Sequence, residues 1–199
     1  LYHYAGNNPV KFVDPDGREV ILEGNDENQK KILELINTLS SSQYRVENSR
    51  LVKDGKKINL YGSQTYSEAI DNLIENGSTY IQIADTYKDE YGNQKPLPLA
   101  IDGTQQAGYT YGSNTQKIMN VSISGKSAKL IPTANGYADT GSPEEILMHE
   151  LSGHAEPRIM NIVGNAIDKE NIIRGELMSK NPSHRFLFRM PDKKHSTHP

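Results

Sequence analysis

The run His149-Glu150-Leu151-Ser152-Gly153-His154 places two imidazoles and a carboxylate within six residues. Neutral imidazole is a common zinc ligand, and a carboxylate next to such an ion can take a proton from water. Helical residues four apart project the same way, so two imidazoles at that spacing can share one ion. Here the spacing is five. At about 100° per residue, five steps turn about 500°, leaving the side chains about 140° apart on a regular α-helix. A π-helical turn inserts one residue and removes that offset, and Gly153 makes the distortion easier. A π-bulge would therefore let His149 and His154 share one ion, with Glu150 beside it. Two other readings fit the same letters. Glu150 and His154, four apart, can ligate from a plain helix. Or two ordinary histidines simply decorate a helix end.

The pattern His149-Glu150-x-x-Gly153-His154 resembles the expanded zinc motif of the dipeptidyl peptidase III group, a variant of the zincin His-Glu-x-x-His motif. The likeness covers these six positions. It implies a zincin-like metallopeptidase in which both histidines bind Zn2+ and the glutamate is the catalytic base. Catalytic zinc takes three protein ligands and keeps one position for water. Glu170 is the choice for the third, because it shares a helical stripe with Ala166, Ile173 and Leu177 that should face the core. A lone buried carboxylate is costly, and a metal would be its partner. Small Ala166, one turn earlier, leaves room for the ion. This placement resembles the gluzincins, in which a second helix donates a glutamate. The competing readings of Glu170 are a salt bridge to Arg174 four residues on, or ligation by Asp168 or by a tail histidine among His184, His195 and His198 instead. The run Glu170-Asn171-x-x-Arg174-x-Glu176 also resembles the tail of secreted effector metallopeptidases. The implied reaction is amide hydrolysis: the metal acidifies water and polarises the scissile carbonyl, and Glu150 carries the proton to the leaving amine. Stabilisation of the oxyanion falls to one of Tyr137, Arg174, His184 or Arg185.

The elements that must position these residues read as an α+β domain: a small mixed or antiparallel sheet, an active-site helix and a following ligand-bearing helix. Strands are expected at Glu19–Glu23, Tyr44–Val46, Leu51–Leu60 and Thr79–Asp85, with turns at 47–49 and a hairpin at Asp54-Gly55. Asn25 or Asp26 should cap a helix with Ile32, Leu35, Ile36 and Leu39 on one face. Thr65-x-x-Glu68 reads as the capping box of a second. Residues 86–116 read as loop, rich in Tyr, Gly, Asn and Pro. Met119, Val121 and Ile123 alternate with polar residues, as in a half-buried strand. In zincins an edge strand in that place pairs with extended substrate. Ser142-Pro143-x-Glu145 is a strong helix start. Pro157 should end or kink that helix, and the last helix should span about Asn165–Met178.

The chain opens on Leu1 in mid-pattern, so a fragment of a longer protein is expected. Tyr2-x-Tyr4, Asn7-Asn8-Pro9 and Asp14-Pro15-Asp16-Gly17 resemble the closing signature of the RHS-repeat core, the shell of polymorphic toxins, with Arg18 where that family usually has Leu. The likeness covers residues 1–17 and implies that 18–199 is a toxin (effector) domain, secreted or delivered into a target cell. Its expected partners are a protein or peptide substrate, a cognate immunity protein and the rest of the RHS shell. The chain has 199 residues, a net charge of −3 and no cysteine. Any metal must therefore be held by His, Asp or Glu, and a negative chain without a nuclease constellation argues against a nucleic-acid partner. No apolar run is long enough to span a membrane. The alternatives carried forward are a zinc amidase of cell-wall or other amides, and a catalytically inactive zincin-like binding domain.

Overall fold

The computed structural model describes residues 18–89, 92–97, 108–132, 138–182, 188–189 and 196–197. The RHS-like stretch 1–17 and the candidates Tyr137, His184, Arg185, His195 and His198 lie outside these.

In chain order the elements are β1 (Glu19–Leu22), α1 (Asp26–Leu39), β2 (Ser42–Glu47), β3 (Arg50–Ile58), α2 (Gln64–Asn76), β4 (Ser78–Ile83), β5 (Thr86–Lys88), β6 (Gln94–Pro96), β7 (Gly108–Ser113) and β8 (Ile118–Ile123). Then follow β9 (Ala128–Pro132), β10 (Ala138–Gly141), α3 (Pro143–Met148), a π-helical segment (His149–Ala155), α4 (Glu156–Met160), β11 (Gly164–Asn165), α5 (Ala166–Lys180) and β12 (Ser196–Thr197). Six strands form one mixed sheet in the order β2-β3-β1-β4-β8-β7. The central neighbours β1, β4 and β8 run parallel, while β2, β3 and β7 are antiparallel to their neighbours. The α+β class and mixed sheet agree with the sequence pattern.

Alternation decides which face is covered. Val20, Leu22, Ile81, Met119, Val121 and Ile123 point to one side and are buried against Ile32 and Ile36 of α1, Ile70 and Leu73 of α2, and Leu147, Met148 and Leu151 of α3 and the π-helical segment. The caps follow the local chemistry of short polar side chains. Asn25 caps α1, its Oδ1 accepting the Asn28 N–H at 3.0 Å. Ser142 caps α3 in a full capping box with Glu145.

Several expectations need correction. The cap of α2 is Ser63, whose Oγ accepts the Tyr66 N–H at 3.0 Å. Thr65 lies two residues inside and gives its hydroxyl to Glu176 of α5, so Thr65-x-x-Glu68 is not a capping box. Asp54-Gly55 does turn, with Asp54 Oδ1 accepting the Lys56 N–H at 3.2 Å, but the turn is a bulge inside β3. The register jumps there from Gln43↔Asp54 to Ser42↔Ile58. The hairpin turn is at Asn48 and Ser49, both with positive φ. Residues 86–116 contain three strands, β5, β6 and β7. As a result β8 is internal, between β4 and β7, and the strand at that end of the sheet is β7. Pro157 neither ends nor breaks the helix. It follows the π segment, whose last N–H, on Glu156, bonds Leu151 O five residues back, and the helix continues to Met160.

Candidate active site

The six-residue run adopts the π turn that its spacing requires. His149–Ala155 is π-helical between two α-helical stretches. With the extra residue absorbed, His149 and His154 face one another: their Nε2 atoms are 3.1 Å apart and their rings meet edge to face. Two neighbours accommodate the wider turn. Gly153 packs on α5 so closely that a Cβ there would lie 2.7 Å from the Cβ of Ala166. Ser152 turns its hydroxyl back to Met148 O at 2.7 Å, as serines inside helices do. Small Ala166 makes room for the π turn.

Behind His149 lies a buried charge network. Glu170 Oε2 is 2.8 Å from His149 Nδ1. A carboxylate only accepts, so Nδ1 donates to it, and Nε2 is the ring nitrogen turned toward His154. Glu170 Oε1 accepts from Arg174 Nε at 2.8 Å, and Oε2 also accepts from Arg189 Nη1 at 2.7 Å. Burial works to raise the Glu170 pKa, but the His149 hydrogen bond and the charges of Arg189 and Arg174 outweigh it and hold it at about 2. Arg174 is fully buried and also pairs with Glu145 Oε1 at 3.1 Å. Glu145 Oε2 meanwhile closes the capping box on the Ser142 N–H at 2.9 Å. Glu145, which completes the capping box of α3, thus also ties that helix to α5.

Glu170 was expected as a direct third ligand. The structure puts it on Nδ1, across the ring from the Nε2 that faces His154. That is where a carboxylate orients a histidine, and the i,i+4 pair with Arg174 is present as well. Arg174, expected near the oxyanion, is instead enclosed by Glu145 and Glu170. Asp168 is exposed and takes no part. Among the described residues, no group of three or more His, Cys, Asp or Glu side chains is arranged to hold a metal. The convergent donors there are the two imidazoles.

On the other side of the helix, Glu150 leans against β7. Its Oε2 accepts the Thr110 hydroxyl at 2.6 Å, and a Cβ on Gly108 would lie 2.8 Å from both its Cγ and its Oε1. Burial pushes the Glu150 pKa up, against the opposing pull of His149, the Thr110 hydrogen bond, Arg158 and Arg189. Arg158 of α4 donates from Nη1 to Thr110 O at 3.1 Å, clamping the strand to the helix.

Sequence reasoning missed Thr110, Gly108, Arg158 and Arg189. Gly108-Tyr-Thr-Tyr-Gly112 does alternate with strand period, a signal for β7 obscured by the surrounding Gly, Asn and Pro. Arg158 stands four residues after His154, one turn on. Nothing local marks Arg189, which is held by a reciprocal pair with Asn171: Arg189 N donates to Oδ1 at 2.9 Å and Nδ2 donates to Arg189 O at 2.7 Å.

The chain matches no family model, no curated protein and no solved structure. No helix among the described residues is long and apolar enough to cross a membrane.

Proposed function

We propose that the chain is a zinc-dependent metallopeptidase of zincin-like type, acting as the effector domain of an RHS-type toxin. The observation that carries the reading is the π turn, with His149 Nε2 and His154 Nε2 3.1 Å apart. Two nitrogens bound to one tetrahedral ion at about 2.0–2.1 Å stand roughly 3.3 Å apart, so the pair fits one zinc ion. The Glu170 carboxylate on His149 Nδ1 fits as well, because liganding histidines regularly give their other ring N–H to a carboxylate. His149 and His154 would supply two of the ion's ligands, and Glu170 would orient His149 from behind.

A zinc ion there would supply Lewis-acid activation of water and of the scissile carbonyl. The chain's own groups do the rest. Thr110 occupies Oε2 of Glu150, so Oε1 receives the proton of the attacking water and later returns it to the leaving nitrogen. A raised pKa suits a group that must take a proton and give it back near neutral pH. The strand at that end of the sheet, β7, borders Glu150 and would align an extended peptide by strand addition. The RHS signature in residues 1–17 supports delivery as part of a larger toxin, with an immunity protein as its partner.

The test is Glu150→Gln beside wild type, with zinc measured per chain, cleavage of a random mixture of internally quenched peptides, and growth on expression inside bacteria. One zinc in both proteins, with cleavage and growth inhibition in wild type alone, is expected. Undiminished cleavage or toxicity in the variant would overturn the reading.

A further inference from the structure

The inward positions of β7 are Gly108, Thr110 and Gly112. The register Gly108↔Ile123, Thr110↔Val121 and Gly112↔Met119 puts them on the sheet face that the helices cover. The outward positions Tyr109 and Tyr111 stack on each other and meet Tyr87 at a tilt instead. Between β7 and the active-site helix there is therefore one side chain from the strand, flanked by two glycines, and it is a hydroxyl. That hydroxyl is buried, 2.6 Å from Glu150 Oε2, and 3.4 Å from the Glu150 carbonyl oxygen. Its own backbone is pinned by Arg158 at 3.1 Å. The strand cannot slip by one residue without exchanging the hydroxyl for a tyrosine ring. Gly108 completes the cradle: any Cβ there would displace the Glu150 side chain.

From this geometry we infer that Thr110 is the positioning residue of Glu150. Its hydroxyl fixes one carboxylate oxygen and leaves the other, set against Gly108, as the oxygen that would take the proton. The inference rests on the zinc-peptidase reading and adds to it a role for a strand that carries no metal ligand. A carboxylate with two rotatable bonds beyond Cβ, held by one directional bond, loses its aim when that bond is removed, and small misplacements of a catalytic group are costly.

The test compares the full chain with Thr110→Val, which replaces the hydroxyl by a methyl of similar size, and Thr110→Ser, which keeps it. Both are also made in a Glu150→Gln background. Turnover of internally quenched random peptides is measured alongside zinc affinity by competition with a chromophoric chelator. Thr110→Val is expected to lower kcat about 10- to 100-fold with KM and zinc affinity within about twofold of wild type. Thr110→Ser should keep most of the rate. In the Glu150→Gln background the valine should cost nothing more, because both changes strike one interaction. Wild-type kcat in Thr110→Val overturns the inference. So does a serine variant as slow as the valine, a matching loss of zinc affinity, or a further loss on top of Glu150→Gln. If wild type cleaves no peptide, or Glu150→Gln cleaves as fast, the peptidase reading itself falls and this role falls with it.

Discussion

Glu150 and Glu170 are both buried, both stand beside His149, and are pushed in opposite directions. Glu150 lies against the glycine-lined strand β7 with one hydroxyl donor, and burial lifts its pKa. Glu170 sits among His149, Arg174 and Arg189, and although burial opposes it, these partners hold its pKa at about 2. The same side chain is made easier to protonate on one wall and held as an anion on the other. Divergent environments of this kind are how one fold separates a base from an orienting charge. The contrast also shows why a buried carboxylate on a core stripe is ambiguous when read from sequence. Either a metal or two arginines can be its partner, and the second arginine here, Arg189, comes from outside the helix.

The largest expected effect is on the Glu170 side. Glu170→Ala leaves Arg174 and Arg189 buried with one counter-charge fewer and should destabilise the fold by about 3–5 kcal/mol in chemical denaturation. It should also weaken zinc binding by about 10- to 100-fold, since His149 loses its orienting acceptor. A variant with wild-type stability would break the comparison by showing that the network is dispensable. Next comes the contact that holds the two walls together. Gly153→Ala puts a Cβ 2.7 Å from that of Ala166, so α5 must move away from the π segment at a cost of about 1–3 kcal/mol. Its zinc affinity should fall with its stability, because Glu170 moves with α5.

The Glu150 side should respond with the opposite sign. A carboxyl whose folded pKa is raised favours folding below its unfolded pKa, and that advantage is lost as pH rises through the folded value. At neutral pH, ionised Glu150 therefore weakens the fold. Metal-free Glu150→Gln should melt higher than metal-free wild type at pH 7, and the gap should close as pH falls from the raised folded value to the ordinary carboxylate value. For Glu170 the folded pKa is depressed, so its contribution is present above the unfolded value and declines as pH falls toward 2. A Glu150→Gln protein that melts lower at pH 7 would contradict the split between the two walls.

The smallest effect lies away from the site, at Glu176. Burial works to raise its pKa, but hydrogen bonds from Thr65 and Ser63 at the start of α2 hold it below the usual range. Glu176→Gln should lower the melting temperature at neutral pH, and the difference from wild type should shrink as acid protonates Glu176 in wild type.

What the residues foretold and what they hid follow one division. The π turn could be derived because five-residue spacing and helical geometry leave few ways to bring two imidazoles together. The α5 stripe Ala166, Glu170, Ile173, Leu177 and the Ser142–Glu145 box could be read because they are local and periodic. The second wall could not. Thr110 and Gly108 meet Glu150 across some forty residues, from a strand whose glycines and tyrosines resemble loop composition. Asp54-Gly55 carried the local signal of a hairpin, but pairing with β2 on either side of it made it a bulge. Met119–Ile123 showed the right alternation, but its place in the sheet depended on β7, which the loop reading had removed.

The central claim is that the π turn brings two histidines five residues apart onto one ion. Zinc content by elemental analysis of freshly purified wild type and His154→Ala tests it most directly. About one zinc per chain in wild type and none retained by His154→Ala after dialysis is the expected result. Metal-free wild type, or a variant that keeps its zinc, would mean that His149 and His154 face each other for reasons of packing alone.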